Sequence, residues 1–432
     1  MGQDSLTARL VTLIRGKPID VNARERAALL VLDGIANAVA GRNSRPGRIL
    51  QSWTAREVGG ADRLSFLVGG LTHILEVDDL HRASVVHPGC VVIPAAYAVA
   101  RREGRTGLEF LDAVLAGYEA TCRVGSAVGP AHYRVWHNTA SCGPFGSAMA
   151  ASQLLELELA ATVDALGNAG SQAFGLWEFM ESTTMTKHLH AARAAEVGVT
   201  AADLASLGFT GPPRILEGRR GFFASLCPDA DPERVLAAPD APWQLQQTSI
   251  KPWMCCRHTH PAIDAALRLH DELQGVSVDR VVVGTYRAAL DVCDKPDPTT
   301  EYEAKFSLQH AVAVALVDGR IDFHSFEPEA RARAASLRAR VAVEPNDAVE
   351  AAYPEAWGAV LRVTRADGEE LAEERLAARG DPDAPLTKGE MVDKARTLMK
   401  HGGEPDPDAL IAAVLAMSAG GPVPAIDFLR ST

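Results

Sequence analysis

Residues 22–42, NARERAALLVLDGIANAVAGR, decide the fold class of this 432-residue chain. Their apolar side chains recur every three to four positions, Asn22 is suited to cap the start of a helix, and Gly41 is suited to end it. Alanine-rich stretches of the same kind cover about residues 91–103, 107–123, 140–155, 160–172 and 186–206. Because alanine favours helices and lets them approach closely, the first 250 residues or so predict a compact helical body.

The character of the sequence changes after about residue 275. Segments 278–290, VDRVVVGTYRAAL, and 338–345, RARVAVEP, are rich in β-branched residues, and 358–376 predicts a hairpin around Ala366-Asp367-Gly368. Helical patterns lie between these strands and return after about residue 388. The predicted fold class is therefore mainly α. It has a large all-helical domain (1–255), an inserted smaller α/β or α+β domain (256–388), and C-terminal helices (389–432) that return to the helical domain.

Charge and cysteine content limit the function classes. The formal net charge is −12, which argues against nucleic acid or an anionic membrane as the main partner but allows a small anionic ligand. The seven cysteines are an odd number spread over a long chain, which predicts reduced thiols in a cytoplasmic protein. The sequence contains neither a signal-peptide pattern nor an apolar stretch of membrane-spanning length.

The densest group of ionisable residues lies in segment 73–89, HILEVDDLHRASVVHPG. One interpretation is helix capping with solvated carboxylates. A second is a metal site, although the HExxH pattern and a calcium-loop pattern are both missing from the sequence. The interpretation we favour is a metal-free acid/base site in which a carboxylate orients a histidine. Its candidate residues are His73, Glu76, Asp78, Asp79, His81 and His87.

Two further segments add candidates for chemistry. His137 precedes the start of a predicted helix, where free backbone N–H groups suit a carboxylate oxygen, although a turn with a chance histidine fits equally well. Lys187 and His190 are i, i+3 neighbours on the helix that contains KHLHAARAA, so they face the same way. A basic, solvated helix face is the alternative for that segment.

Segment 251–264, KPWMCCRHTHPAID, is the last candidate. Two adjacent cysteines cannot both bind one tetrahedral zinc without strain, and the sequence offers no CxxC partner pair. Cationic groups that bind carboxylates fit better. Across these segments we find neither a nucleotide-binding motif nor a nucleophile motif, so the residues suit proton abstraction α to a carboxylate. The cationic candidates here are Lys251, Arg257, His258 and His260.

The same segments resemble the MmgE/PrpD family. The matching pieces occur in family order over about residues 22–418 and are HILEVDD…HPG, GYEATCRVG, HNTASCGPFG, KHLHAARAA, GFTGP…ILEG..GFF, KPWMCCRHTHPAID and EYEAKFSLQHAVAVAL. The resemblance implies a helical domain, an α/β lid domain, a homodimer and a cofactor-free site between the domains. It also implies 2-methylcitrate dehydration, cis-aconitate decarboxylation or iminodisuccinate epimerisation as the type of activity.

Position by position, the family's acidic run falls on Glu76, Asp78 and Asp79, and its histidine before Pro-Gly falls on His87. The remaining active-site positions fall on His137, Lys187 and Lys251. This chain departs from the pattern at four places. Glu76 replaces Asp, Leu80 replaces a threonine, the loop to His87 is one residue longer than in the decarboxylase, and Cys256 replaces the histidine of the itaconate-forming decarboxylase. These departures argue against itaconate formation and also weigh against 2-methylcitrate dehydration.

We therefore expect a cofactor-independent enzyme, without a metal, that acts on a small di- or tricarboxylic acid. His87, held by Asp78, is the expected proton-transfer residue and His137 the second acid/base. Lys187 completes the expected catalytic group and holds a substrate carboxylate. Glu76, Lys251, Arg257, His258 and His260 are the expected substrate-binding residues. The alternative is a catalytically silent homologue that binds a carboxylate or forms a structural homodimer.

Overall fold

The computed structural model describes residues 4–56, 59–182, 184–273 and 276–426. Among these described residues, helices hold 60% and strands only 8%, in two small sheets, so the prediction of a mainly α protein is confirmed. The chain divides into two compact units. The first unit comprises residues 1–250 and 387–432, and the second comprises residues 251–386. That the second unit acts as a lid stays a prediction.

The first unit is built of helices that follow the predicted stretches closely. Up to residue 250 its helices are α1 (Leu6–Gly16), α2 (Val21–Gly41), α3 (Arg45–Thr54), α4 (Ala61–His73), α5 (Gly89–Glu103), α6 (Gly107–Ala127), α7 (Pro130–Tyr133), α8 (Asn138–Leu154), α9 (Leu159–Gly170), α10 (Thr186–Ser206) and α11 (Phe222–Leu226). After the second unit, the chain adds α19 (Lys388–His401) and α20 (Pro407–Ala416). In the described residues, no helix is long and apolar enough to cross a membrane.

Local sequence fixes where these helices begin. α2 starts one residue before the predicted cap, because the Asp20 carboxylate, and not Asn22, accepts a hydrogen bond from the backbone of Ala23 at 2.7 Å. α6 begins with a capping box in which Thr106 and Glu109 each accept a hydrogen bond from the other's backbone. The apolar faces of α4, α5, α6, α8 and α10 then pack together into one alanine-rich core.

The segment between α4 and α5 is the feature of this unit that matters for chemistry. Part of it, β1 (Leu80–His81), pairs antiparallel with β2 (Thr248–Ser249). The C-terminal helix α19 also holds this segment, because the Lys394 Nζ donates to the carbonyl of Val77 at 2.8 Å and forms an ion pair with Asp33 on α2 at 2.5 Å. The segment is therefore anchored on two sides within the first unit.

The second unit contains a four-stranded sheet of order β4-β3-β5-β6. β3 runs parallel to β4 and antiparallel to β5, and β5 and β6 form the predicted hairpin, with Gly368 in its turn at φ +87°. The strands are β3 (Val278–Thr285), β4 (Val341–Pro345), β5 (Ala359–Arg365) and β6 (Glu370–Arg375). The helices are α12 (His260–His270), α13 (Arg287–Cys293), α14 (Glu301–Ala304), α15 (Leu308–Asp318), α16 (Pro328–Arg333), α17 (Ala335–Arg338) and α18 (Asp347–Ala352).

Candidate active site

Glu76 and Lys187 form a buried ion pair in the first unit. The Lys187 Nζ, on the first turn of α10, lies 2.6 and 2.5 Å from the two carboxylate oxygens of Glu76, and both residues are at most 5% exposed. Glu76 has φ +60°, a left-handed conformation that is uncommon for a residue other than glycine. The segment after α4 therefore adopts an unfavourable backbone conformation at the residue whose carboxylate meets the lysine.

Asp78 lies between two imidazoles. Its Oδ2 is 2.6 Å from the Nδ1 of His73, the last residue of α4, and 3.5 Å from the Nδ1 of His87. The His73 and His87 rings meet edge to face, with centroids 4.8 Å apart. Sequence analysis predicted that Asp78 holds His87, and in the structure the shorter contact of Asp78 is with His73.

Hydrogen bonds assign the donor nitrogen of both rings. The His87 Nδ1 is 2.6 Å from the backbone carbonyl of Asp79, which can only accept, so this nitrogen carries a proton. The His73 Nδ1 likewise donates to the Asp78 carboxylate. In its neutral form each imidazole then has its lone pair on Nε2, and Nε2 is the nitrogen that can accept a proton.

The side chain of Asp79 has a different environment from that of Asp78. Its carboxyl accepts hydrogen bonds from the hydroxyl of Tyr118 on α6 at 2.6 Å and from the backbone of Gly89 at 2.9 Å. Burial raises the pKa of Asp79 to about 7 against these two stabilising bonds. A Cβ at Gly89 would lie 2.7 Å from the carboxyl, so the close approach of α5 requires glycine.

His137 is the N-cap residue of α8, and its side chain is buried against His190 of α10. The two Nδ1 atoms are 3.3 Å apart, so one ring donates and the other accepts. Burial, then electrostatic interaction with His73 and Lys187, lowers the pKa of His137 well below its usual value. Burial also lowers the pKa of His190 to about 4. Both histidines are therefore neutral at physiological pH.

The predicted residues of the second unit make contacts of their own. The Arg257 guanidinium donates to Asp381 at 2.5 Å, to the carbonyls of Ala378 and Arg379, and lies 2.9 Å from the Nδ1 of His260. Within this unit the charge of Arg257 is thus already compensated. That Arg257 and His260 bind substrate remains a prediction.

His258 and Lys251 are also buried in the second unit. The His258 Nδ1 is 2.7 Å from the Tyr286 hydroxyl, and its ring stacks on Trp357 at 4.5 Å. Burial, together with the positive charge of Lys251, lowers the pKa of His258 to about 3, so this imidazole is neutral. A neutral ring can contribute a hydrogen bond to a carboxylate but not a charge.

Comparison with known families now decides the membership of this chain. The model of the MmgE/PrpD N-terminal domain matches residues 6–235, and the model of the C-terminal domain matches residues 253–418. The chain belongs to the MmgE/PrpD family. The resemblance seen in the sequence is thereby confirmed.

Curated relatives within the MmgE/PrpD family cover most of the chain. A cis-aconitate decarboxylase-like protein of Aspergillus oryzae is 28% identical over 76% of this chain and 77% of its own length. The cis-aconitate decarboxylase of Aspergillus terreus is 26% identical over 80% of this chain and 74% of its own. The mouse cis-aconitate decarboxylase is 28% identical over 77% of this chain and 70% of its own.

Five of the predicted site residues of this MmgE/PrpD protein occur in one buried cluster of the first unit: Glu76, Asp78, His87, His137 and Lys187. Sequence reasoning noted His73 and His190 but assigned them no role, although the structure places both in the cluster. The i, i+3 spacing of Lys187 and His190 was a usable signal for His190. No local pattern indicated the contact of Tyr118 with Asp79.

A metal ion is the alternative use of this cluster. Among the described residues, His73, Asp78 and Cys90 each offer a ligand atom, and these atoms lie within 4.8 Å of one another. Burial and the nearby Asp78 and Asp79 carboxylates raise the pKa of Cys90 well above its usual value, so the thiol is neutral, whereas metals bind the thiolate. The short bond between His73 and Asp78 also occupies two of the ligand atoms. That the site uses no metal stays a prediction.

Proposed function

We propose that this chain is a cofactor-independent enzyme that abstracts a proton α to a carboxylate of a small di- or tricarboxylic acid. The observation that carries this proposal is the buried cluster in which Asp78 contacts two imidazoles and Lys187 lies close by, paired with Glu76. Such a group can move a proton and can stabilise the negative charge that develops next to a carboxylate.

His87 is the proposed base. Its side chain is 12% exposed. Its Nδ1–H donates to the Asp79 carbonyl, so its Nε2 is the basic atom. The negative charge of Asp78, 3.5 Å away, stabilises the imidazolium that forms. His137 is the proposed second acid/base on the other side of the substrate, and because burial holds its ring neutral, it can act as an acid only after it has accepted a proton. An elimination needs such an acid for the leaving hydroxyl, and an epimerisation needs it to return a proton.

Lys187 is the proposed cation for the reacting carboxylate. In the structure its charge is compensated by Glu76, so a substrate carboxylate would share the ammonium with Glu76 or displace it. From the second unit we propose that Lys251, His258 and His260 contribute to carboxylate binding. Arg257 is proposed to contribute to carboxylate binding as well, and its contact with His260 would also orient that ring.

The reaction type that we propose is that of a lyase. The support comes from relatives that are named cis-aconitate decarboxylases. Cys256, at the position where the resemblance expects a histidine in the itaconate-forming enzyme, argues for a substrate or outcome that differs from theirs. Dehydration, as in 2-methylcitrate dehydratase, and epimerisation are the alternatives that the experiment separates.

Proton NMR in D₂O tests the proposal. EDTA-treated protein is incubated with citrate, 2-methylcitrate, cis- and trans-aconitate, iminodisuccinate, malate and tartrate. We expect deuterium α to a carboxylate or a new alkene signal on at least one substrate, with loss of this activity in His87→Ala. His324→Ala is the matched control, since the His324 side chain is 77% exposed and its ring pairs with Glu327 in the second unit. Activity that requires added metal would contradict the cofactor-independent mechanism.

The second candidate function is a silent homologue that binds a carboxylate without turning it over. It predicts binding of one of these acids, measured calorimetrically, with neither exchange nor a new product in the NMR experiment. We also propose that the protein is a cytoplasmic homodimer. Light scattering after size-exclusion chromatography tests the oligomeric state.

A further inference from the structure

His73 and His87 share one carboxylate but differ in accessibility. His73 is 0% exposed, whereas the side chain of His87 keeps 12% of its exposure. The shorter contact of Asp78 is with the inaccessible ring, at 2.6 Å, and the longer contact, at 3.5 Å, is with the accessible ring. A substrate can therefore reach His87 but not His73. His73 instead contacts Asp78, the carboxylate whose charge acts on His87.

His73 is poorly explained by stability. Its Nε2 is buried and has no hydrogen-bond partner among the described residues. A buried polar atom without a partner is destabilising, and native proteins keep few of them. An apolar side chain at position 73 would avoid the cost of the unpartnered Nε2. The contribution of the His73 ring therefore lies at Nδ1, which donates to Asp78.

We propose that His73 is a positioning residue that lowers the basicity of His87, by holding Asp78 in a hydrogen bond that His87 would otherwise take. The proposal deepens the proposed function, since it names the residue that tunes the proposed base. A carboxylate bound directly to an imidazole stabilises the imidazolium and makes the ring a stronger base. With Asp78 engaged by His73, the Nδ1 of His87 instead donates to the neutral carbonyl of Asp79 at 2.6 Å.

Several other titratable groups near His87 are neutral or paired, so the competition between His73 and His87 for Asp78 is the interaction that can change the basicity of His87. Cys90 on α5 is a neutral thiol that donates to the His87 carbonyl, and His137 at the start of α8 is neutral. Lys187 on α10 is compensated by Glu76. The remaining titratable groups of the cluster are Asp79, Tyr118, His188 and His190.

Two substitutions at His73 separate the donor from the rest of the ring. In His73→Asn the amide nitrogen takes the place of Nδ1 and keeps the donor to Asp78, while His73→Leu removes the donor. The measurement is an NMR titration of the His87 ring in full-length protein labelled with ¹⁵N and ¹³C at histidine, without substrate. We expect the pKa of His87 to rise by about one unit or more in His73→Leu and by less than about 0.3 units in His73→Asn.

A second pair of measurements covers the case in which His73→Leu does not fold. In the unmodified protein, the ¹⁵N shift of the His73 Nδ1 must report a protonated, hydrogen-bonded nitrogen. Asp78→Asn must lower the pKa of His87, and His73→Asn must then cause no further change in that background. An unprotonated His73 Nδ1, or an unchanged pKa of His87 in folded His73→Leu, would overturn the proposal.

Activity gives a readout that a structural defect would not reproduce. In His73→Leu the acidic limb of the pH dependence of kcat/KM should shift to higher pH by the same amount as the pKa of His87 in the NMR titration. In His73→Asn the limb should stay where it lies in the unmodified protein. A loss of activity with an unmoved limb contradicts the positioning role. If no substrate is found at all, the titration still tests the role of His73, so failure of the proposed function is recognised separately.

Discussion

Glu76 combines burial, charge and a left-handed backbone in one residue. A non-glycine residue at φ +60° costs on the order of 1 kcal/mol, and a buried carboxylate is tolerated only with a partner. Lys187 provides that partner, but a pair of well-packed apolar residues would be at least as stable. The combination is therefore typical of a functional site and not of a stabilising ion pair.

Separating the two partners should be costly. Glu76→Gln or Lys187→Met alone is expected to destabilise the first unit by about 3–5 kcal/mol, because the remaining charge stays buried without compensation. The double variant should recover most of that loss and remain inactive. Urea unfolding of the three variants measures the coupling between the residues. Additive losses in the double variant would contradict the interpretation of a mutually compensating pair.

Asp79 predicts a second effect, on the pH dependence of stability. Its pKa is about 7 in the folded chain and near 3.8 when unfolded, so the folded state keeps a proton that the unfolded state releases. The stability that this group contributes is present below about pH 4 and is lost as the pH rises to 7. Asp79→Asn cannot lose that proton. The variant should therefore gain about 2 kcal/mol relative to the parent between pH 5 and 8 in urea unfolding. If the difference in unfolding free energy between Asp79→Asn and the parent stayed the same from pH 5 to pH 8, the raised pKa of Asp79 would be contradicted.

Of the two histidines proposed for proton transfer, only His87 is expected to contribute to the pH dependence of activity. His137 is neutral at physiological pH because burial lowers its pKa well below the usual value. A pH–rate profile that is flat from pH 5 to 8 would therefore contradict His87 as the base.

Among the elements, α8 and α10 pack closely against each other at a glycine of α10. A Cβ at Gly198 of α10 would collide with the backbone of Ser147 and Ala148 on α8. α10 carries Lys187 and His190, and α8 begins after His137. The distance between these two helices therefore sets the distances between the site residues.

Gly198→Ala tests this close packing. Alanine in a helix normally stabilises by about 1 kcal/mol over glycine, but here the helices must separate, and we expect a loss of about 1–3 kcal/mol with reduced activity. Gly16→Ala at the end of α1 is the matched control, because its Cβ would meet nothing within 4 Å. Thermal unfolding compares the two, and equal effects at both positions would contradict the packing argument.

Periodicity predicted the elements well because it is a local property. The predicted stretches became α2, α5, α6, α8, α9 and α10, and the Ala366-Asp367-Gly368 turn joins β5 to β6. The pairing of ionisable groups was not predictable in the same way. Glu76 meets Lys187 across 111 positions of sequence, and Arg257 meets Asp381 across 124, so each partner is chosen by helix packing or by the path of a loop.

For the whole molecule, the return of the C-terminal segment has a structural consequence. α19 packs on α2, and Lys394 contacts both Asp33 and the carbonyl of Val77, one residue from Glu76 and from Asp78. The last helices therefore support the segment that carries the site, although the 136 residues of the second unit (251–386) separate them in sequence from the rest of the first unit.

Buried histidines in both units predict sensitivity to acid. Burial lowers the pKa of His81 in the first unit and of His310 in the second to about 4, so each takes up a proton on unfolding once the pH falls below about 6.5. The stability that these neutral rings contribute is present above that pH and is lost as the pH falls towards 4. The raised pKa values of buried carboxyls such as Asp33 and Asp79 oppose this loss in part.

Isosteric amides should remove the acid sensitivity one residue at a time. In His310→Gln the amide nitrogen keeps the bond of Nε2 to the Ser325 carbonyl, and in His81→Asn it keeps the contact of Nδ1 with Ser84. Each variant should gain about 2 kcal/mol relative to the parent between pH 7.5 and 4.5 in urea unfolding, because one fewer proton is bound on unfolding. His324→Gln is the control, since the pKa of that exposed ring is raised by Glu327 and the substitution removes no buried neutral imidazole. A gain of the same size in the control, or none in either buried variant, would show that these histidines do not govern the acid sensitivity of the two units.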